Sequence, residues 1–168
     1  YIIGGTSDGT NPVTNCAVEK AKILGTDTAP QNLTLTAFSG GNLNAGSWYY
    51  RVSAVMKNAD PENPGGEGLP SFERVITVSK GSSVKLTWSP PLKNPQNVSH
   101  YRIYRTDAEN GVSGAEHLIA DNVTSTEFVD NGYPPGTTPP LPNGSTGVWM
   151  CENQTGFTPR YGLSAVVG

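Results

Sequence analysis

Hydrophobic and polar residues alternate in several short runs along the chain, and each run predicts a β-strand. The clearest runs are 48–55 and 84–89, in which apolar residues alternate with polar ones and aromatic or β-branched residues are frequent. Further strands are predicted at 33–37, 72–79, 101–105, 117–120 and 126–130. Shorter runs predict additional strands near the two ends, at 1–5, 16–24, 147–151 and 161–167. The pattern therefore predicts an all-β chain.

Gly, Pro and Asn separate these runs and predict turns about every 8–12 residues, which is typical of a sandwich of two packed sheets. We expect loops at 39–42 and 57–70, and a linker at 131–145. The side chains expected between the sheets are Trp48, Tyr50, Val52, Val75, Val84, Leu86, Trp88, Tyr101, Ile103, Ile119 and Phe128. Each such side chain contributes about 1.5–3 kcal/mol when it is fully buried, so the set is a sufficient core for one sandwich.

Composition narrows the class of protein. Gly, Pro, Ser, Thr and Asn make up nearly half of the 168 residues, the charged fraction is 15%, and the net charge is −3. A mildly acidic chain without a basic run argues against a nucleic-acid partner. No apolar stretch approaches the roughly 20 residues that span a bilayer, so no membrane span is expected. The polarity from Ser, Thr and Asn instead suggests an extracellular, cell-surface or virion protein.

Four phrases in the middle of the chain resemble a fibronectin type III-like or immunoglobulin-like β-sandwich. They are LNAGSWYYRVSAV, EGLPSFERVITV, SVKLTWSPP and SHYRIYRT, and the resemblance covers about 29–143. In that family the Leu-x-Trp strand precedes the Tyr-x-Val-x-Ala strand, whereas here it follows. The reversed order implies a circular permutation or a sheet completed by a flanking segment. Similar reordered modules occur in bacteriophage head and tail proteins and in secreted bacterial proteins, but the resemblance says little about function.

A second resemblance involves the two ends of the sequence. The phrase TGFTPRYGLSAVVG resembles the opening of a kelch-type propeller blade, YIIGG resembles the glycine doublet that closes the second strand of such a blade, and Trp149 would be its tryptophan. The resemblance implies that the sandwich is an insertion within one blade, which needs neighbouring blades to bury its faces. The alternative is that the phrases are ordinary short strands. We therefore divide the chain into a strand segment at 1–28, a sandwich at 29–143 and a strand segment at 144–168.

The two cysteines, Cys16 and Cys151, lie on opposite sides of the sandwich in sequence. If the flanking segments pair as strands, the thiols can meet and form a disulfide, which we favour over two buried free thiols because the composition suggests an oxidising compartment. No Cys-x-x-Cys motif is present, which argues against a zinc or redox site.

Five Asn-x-Ser/Thr triplets are candidate N-glycosylation sites, against two to three expected by chance. Their asparagines are Asn32, Asn97, Asn122, Asn143 and Asn153. In an archaeal or eukaryotic surface protein these sites would carry glycans. In a phage or bacterial protein they would be plain polar turns.

Catalytic and metal chemistry find little support in the residues. His100 and His117 lie in no nucleophile motif, so we expect a protein that is not an enzyme and has no cofactor. The acidic stretch 60–67 offers some oxygen ligands for calcium, but a solvated hairpin loop is the favoured interpretation. Three tyrosines are candidates for the outer surface, where they could bind sugar or a partner: Tyr49, Tyr104 and Tyr133. Aromatic residues on a strand are more often part of the core or a cover on the sheet, and this is the favoured interpretation.

These observations favour a non-catalytic structural subunit of an extracellular assembly, either a surface filament or a virion head or tail component. Its terminal strands would pair with copies of itself or with other subunits, because an added strand satisfies the backbone groups of an open sheet edge. The residues expected to pair are Tyr1, Ile2, Ile3, Leu163, Ala165, Val166 and Val167. The alternatives are an adhesion module that binds carbohydrate, such as surface glycans, or a receptor, and a kelch-type blade with an inserted sandwich.

Overall fold

Ten β-strands and two short 3-10 turns form the regular structure of the residues that the computed structural model describes, which are 22–147 and the strands at 18–20, 150–153 and 156–158. The 3-10 turns are Thr26–Thr28 and Pro95–Asn97. The strands are β1 (Val18–Lys20), β2 (Gln31–Leu43), β3 (Gly46–Met56), β4 (Arg74–Val78), β5 (Ser82–Ser89), β6 (Val98–Thr106), β7 (Glu116–Val123), β8 (Glu127–Asp130), β9 (Met150–Asn153) and β10 (Gly156–Thr158). None of the helices in this part of the chain has the length and apolar character to cross a membrane.

The predicted all-β sandwich is confirmed. One antiparallel sheet has the order β2-β5-β8 and the other has the order β4-β3-β6-β7. The short connections from β2 to β3 and from β4 to β5 cross from one sheet to the other. A separate antiparallel sheet, β1-β9-β10, is built from segments that flank the sandwich in sequence.

Alternating side chains of both sheets fill the space between them. On β3 the residues Trp48, Tyr50, Val52 and Ala54 are buried, and they pack against residues of β5 such as Leu86. Of the predicted core, Phe128 is only partly buried. The other predicted core residues are buried as predicted, with the exception of Val75 on β4.

The exception on β4 is Val75, which was expected inside and is 55% exposed. The core-facing residues of this strand are Ile76, which is partly buried, and Val78, which is buried. Val75 instead pairs with Tyr49 of β3 on the opposite face. Because side chains alternate along a strand, an error of one residue in phase moves a side chain to the other face.

The loop predicted at 39–42 is also wrong, since these residues belong to β2. The ladder with β5 is interrupted by a bulge between Ser39 and Leu43, where Gly40 has a φ of +102°. The backbone N–H groups of Gly40 and Gly41 both donate to Gly81 O at 3.0 Å. A Cβ at Gly41 would lie 2.2 Å from Ser82 O, so glycine is required where the two strands approach.

The proline-rich segment 131–145 has no strand, but it packs against the sandwich instead of leaving it. Gly136 N donates to Leu118 O and Leu118 N donates to Thr138 O, both at 2.8 Å. These bonds cover the outer edge of β7. Farther along, Leu141 packs against a small cluster that contains Leu24 and Leu69. A segment with the composition of a linker therefore protects a sheet edge.

A buried ion pair connects the two sheets through the core. Arg105 of β6 and Asp130 of β8 are 3% and 0% exposed, and Arg105 Nη1 lies 2.7 Å from Asp130 Oδ2. The Tyr50 hydroxyl donates to the same oxygen at 2.9 Å. Burial, together with the Asp130 carboxylate, raises the pKa of Tyr50 well above its ordinary value, so the hydroxyl remains a donor.

The remaining bonding capacity of this pair is used as well. Asp130 Oδ1 accepts the backbone N–H groups of Gly132 and Tyr133 at 2.8 and 3.2 Å. Arg105 Nη2 donates to Tyr133 O at 2.8 Å, and the guanidinium carbon lies 4.7 Å from the centre of the Trp48 ring. The pair therefore joins the two sheets and also fixes the start of the proline-rich segment.

Candidate functional site

The long loop at 57–70 folds over the outer face of the four-stranded sheet, and it is not the solvated hairpin loop that was expected. Asp60 and Asn63 are 2% and 5% exposed, and Ser53 on the sheet beneath is fully buried. Val55 forms an isolated bridge with Glu67, which brings the end of the loop back to β3. The acidic side chains of the loop therefore point at protein groups.

Glu67 is the centre of the contacts between this loop and the sheet. Its Oε1 accepts hydrogen bonds from the hydroxyls of Ser53 and Tyr104, the latter at 2.5 Å. Its Oε2 lies 2.7 Å from Arg102 Nη1. Burial, with the neighbouring Glu67 carboxylate, raises the pKa of Tyr104 well above its ordinary value. Tyr104 is fully buried, so of its two interpretations the structure contradicts the surface one and agrees with the favoured one, a place in the core or under a cover on the sheet.

Asp60 holds the other half of the loop with four N–H donors. Its Oδ1 accepts the backbone N–H groups of Glu62 and Asn63 at 2.9 and 2.8 Å. Its Oδ2 accepts the side-chain amides of Asn94 and Asn97 at 3.0 and 2.9 Å. Burial alone would raise the pKa of Asp60, but these donors outweigh it and hold the pKa below its ordinary value.

The carboxylates of the loop are not arranged to bind a metal ion. Both oxygens of Asp60 face N–H groups, and Glu62 pairs with the ammonium groups of Lys22 and Lys93. Within the described part of the chain, no three His, Cys, Asp or Glu side chains cluster closely enough to hold a metal ion. Carboxylates that already accept from protein donors supply few free lone pairs to calcium, which needs six to eight oxygens.

A cleft of about 180 Å³ lies between this loop and the segment that enters the sandwich. Its polar lining includes Lys22, Lys93 and Glu62, and both lysines pair with the glutamate. Its apolar lining includes Leu24 and Met56. Neither histidine belongs to its lining.

Each histidine lies beside an aspartate. His100 Nε2 is 3.2 Å from Asp121 Oδ1, and His117 Nδ1 is 2.7 Å from Asp107 Oδ1. A hydroxyl also lies near His100, with Ser99 Oγ 3.3 Å from Nδ1. Asp121 is shared, however, because Arg102 Nε donates to the same oxygen at 3.3 Å. These contacts connect neighbouring strands at the protein surface.

The segments that flank the sandwich pair with each other within one chain. β1 runs antiparallel to β9, with Glu19 opposite Cys151. Closer to the sandwich, Ile23 forms an antiparallel bridge with Thr146, and Leu24 N donates to Ser145 O at 2.9 Å. We call these paired flanks, β1 with β9 and Ile23 with Thr146, the stem. The chain therefore enters and leaves the sandwich side by side.

Several predicted site residues lie outside the described residues. This holds for Cys16 and for the predicted pairing residues Tyr1, Ile2, Ile3, Leu163, Ala165, Val166 and Val167. Cys151 belongs to β9, but only its backbone is described. The disulfide between Cys16 and Cys151 thus stays a prediction, although the pairing of the flanks on which it depends is present in the stem.

The glycosylation triplets occupy different environments. The asparagines that are exposed are Asn32, Asn122 and Asn143. Asn97 is only partly exposed, and its amide nitrogen donates to the buried carboxylate of Asp60. For Asn153 only the backbone, in β9, is described. The sequence motif alone does not separate these environments.

In a secretory host that attaches N-glycans, we expect the folded protein to carry none at Asn97. A glycan on Nδ2 would replace one of the two amide hydrogens and place a bulky group against the buried carboxylate of Asp60, 2.9 Å from that nitrogen. Peptide mass mapping before and after enzymatic deglycosylation measures occupancy at each site, with the exposed Asn122 as the reference. Full occupancy at Asn97 in folded protein would contradict its place beside Asp60.

No protein family, curated protein or solved structure that was compared with this chain matches it.

Proposed function

We propose that the protein is a non-catalytic structural module of an extracellular assembly, in which a rigid sandwich projects from a small sheet that takes part in strand pairing. The observation that carries the proposal is the stem, in which β1 and β9 pair although they lie before and after the sandwich in sequence. A domain that is entered and left at one point can project from an assembly without interrupting it. A surface filament and a virion head or tail component both fit this description.

The flanking sheet offers edges for further strands. Among the strands that the structure describes, the order β1-β9-β10 leaves β1 and β10 on the outside. The segments 1–5 and 161–167 are apolar and rich in β-formers, and they lie beyond these edge strands in sequence. Strand addition would satisfy the backbone groups of the edges, with copies of this chain or other subunits as partners.

A second candidate function is favoured by the same sheet. A kelch-type blade with an inserted sandwich requires flanking strands that form one antiparallel sheet around the insertion, and β1 and β9 meet that requirement. Pro159, Arg160 and Gly162 carry the resemblance at one end of the chain and the Gly4-Gly5 doublet carries it at the other. In this proposal the partners of the edges are the neighbouring blades of a propeller.

A role in binding glycans or receptors has less support. Of the three tyrosines that are candidates for the outer surface, Tyr104 is buried under the loop, which leaves the half-buried Tyr49 and the exposed Tyr133. An exported location is supported by the low charge and by the exposed triplets such as that at Asn122. The Cys16–Cys151 disulfide remains part of the proposal for the same reason.

The strand-pairing proposal predicts that charges in the terminal segments abolish assembly. In the double variant Ile2→Lys/Val166→Lys, two ammonium groups must be desolvated in the new ladder, so we expect monomers where the unaltered chain forms oligomers or filaments. Sedimentation velocity and negative-stain electron microscopy of the full chain measure the change. The control is Phe38→Lys, at a residue of β2 that is 44% exposed, which we expect to assemble normally.

An unaltered chain that remains monomeric at high concentration would contradict self-assembly. The propeller proposal would then be tested by placing the chain between flanking blades. We expect that fusion to gain thermal stability over the chain alone, because the edges of its small sheet become paired.

A further inference from the structure

Glu116, the first residue of β7, has a fully buried side chain that is incompletely bonded. Its Oε1 lies 3.4 Å from Arg51 Nε. Among the described residues, no group donates a hydrogen bond to its Oε2. A buried oxygen without a donor is costly for a carboxylate, whereas a protonated carboxyl group can use the same oxygen as a donor.

Glu73 lies beside Glu116 and is well supplied with donors. Its Oε1 accepts the Ser113 hydroxyl at 2.7 Å, and its Oε2 accepts Gly114 N at 2.8 Å. Arg51 Nη2 lies 3.5 Å from Glu73 Oε2, so one guanidinium faces both carboxyl groups. Two full negative charges beside a single, partly exposed guanidinium would leave one of them uncompensated.

We propose that Glu116 stays protonated in the folded protein and donates a hydrogen bond to Glu73, so that the two side chains form a proton-binding clamp. The clamp joins β7 to the residues just before β4. Through the bonds of Glu73 to Ser113 and Gly114, it also holds the turn before β7 against the edge of the sheet.

The surroundings of Glu116 offer no second positive charge in the described residues that contact it. From β3 it faces Arg51, from the segment before β4 it faces Glu73, and on β6 the residue opposite it is Thr106. The next residue on its own strand, His117, pairs with Asp107. The proton of Glu116 therefore has an acceptor in Glu73, and no second positive charge in these surroundings favours the ionised form of Glu116.

The electrostatics of the pair agree with this assignment. Burial raises the pKa of Glu116 above its ordinary value of 4.5, and the hydrogen bond with Glu73 raises it further. Burial alone would raise the pKa of Glu73 too, but the bonds with Glu116, Ser113 and Gly114 N lower it below 4.5. Opposite shifts within one pair are typical of two carboxyl groups that share a proton.

The sign of the pH dependence follows from these two directions. The stability that Glu116 contributes is fully present below pH 4.5 and is lost as the pH rises through its raised pKa. The contribution of Glu73 is present above pH 4.5 and is lost as the pH falls through its lowered pKa. The clamp is therefore strongest between the two pKa values, and a rise in pH through the raised pKa releases it by removing the proton of Glu116.

The experiment that tests the clamp compares the unfolding of Glu116→Gln with that of the unaltered chain over a range of pH. The amide of glutamine donates to Glu73 as the protonated carboxyl group does, but it cannot ionise. We expect the variant to match the unaltered chain near pH 4.5 and to unfold less readily at pH values above the raised pKa of Glu116. The unfolding equilibrium constants should differ about tenfold for each unit by which the pKa of Glu116 is raised. The control is Glu127→Gln, whose surface pair with Lys85 should leave the alkaline limb unchanged.

A direct titration covers the case in which the variant folds poorly. Carbon-13 NMR of glutamate carboxyl groups in the unaltered chain should show one group that titrates above the ordinary range and one neighbour that titrates below it. The first signal should be absent in Glu116→Gln. Two carboxyl groups that both titrate below the ordinary range, or a variant that is equally destabilised at every pH, would overturn the proposal.

Discussion

Replacing Asp130 by asparagine should lower the free energy of unfolding by about 3–5 kcal/mol, the largest loss of stability that we expect from a single substitution in this protein. The introduced side chain would keep an acceptor for the backbone N–H groups of Gly132 and Tyr133, but its amide would face Arg105 Nη1 and the Tyr50 hydroxyl. Arg105 would then be a buried cation without a counter-ion. Urea unfolding monitored by tryptophan fluorescence measures the loss.

The matched control for this prediction is Glu127→Gln, three residues earlier on β8. Its ion pair with Lys85 has an N–O distance of 2.8 Å, but the side chains of Lys85 and Glu127 are 41% and 61% exposed. We expect that change to lower the free energy of unfolding by less than about 1 kcal/mol. Equal losses for the two variants would show that the buried pair has no special weight.

A second variant, Arg105→Met/Asp130→Leu, leaves no buried charge alone, but it also leaves the Tyr50 hydroxyl and the backbone N–H groups of Gly132 and Tyr133 without their acceptor. We therefore expect it to recover only part of the loss.

The second large effect should come from Asp60→Asn, with a loss of about 2–4 kcal/mol in the free energy of unfolding. The new amide would point its hydrogens at the amides of Asn94 and Asn97, so donors would face donors in a buried site. We expect hydrogen exchange to increase in the loop at 57–70 before the rest of the sandwich, because the change breaks the attachment of this loop.

Acid unfolding gives an independent measure of Asp60. Because its pKa is lowered in the folded protein, its contribution to stability is present above the ordinary value of 3.8 and is lost as the pH falls through the lowered pKa. The acid limb of the stability curve should therefore become flatter in Asp60→Asn. Asp107→Asn, at an exposed residue beside His117, is the control and should leave the loop unchanged. An acid limb that is identical in all three proteins would contradict the assignment.

Most of the fold could be predicted from alternation of apolar and polar residues, because a side chain on a strand has only two faces. The pattern at Trp48, Tyr50 and Val52 predicts one buried face, and the structure confirms it. The same reasoning fails on β4, where Val75 and Ile76 are both β-branched and adjacent. Hydrophobicity does not choose between neighbours of equal character, so the register has to be decided by tertiary packing.

The polar contacts could not be predicted in the same way. Glu67, Tyr104 and Arg102 are separated by up to 37 residues, and only the folding of the loop over the sheet brings them together. Acidic, Gly- and Pro-rich composition is typical of a solvated loop, and the sequence holds no signal that the carboxylates of Asp60 and Glu67 turn inward. The triplet at Asn97 looks like the others in sequence, and its difference also comes from a partner distant along the chain.

The stem determines how mechanical tension would reach the sandwich. Its two strands run antiparallel and begin at the same place on the domain, where Leu24 N bonds to Ser145 O. Tension that pulls the flanks apart therefore acts on one residue pair at a time, starting at β1 and β9 and moving toward Ile23 and Thr146. We therefore expect the residue pairs of the stem to separate one after another before any load is applied across the buried Arg105–Asp130 contact.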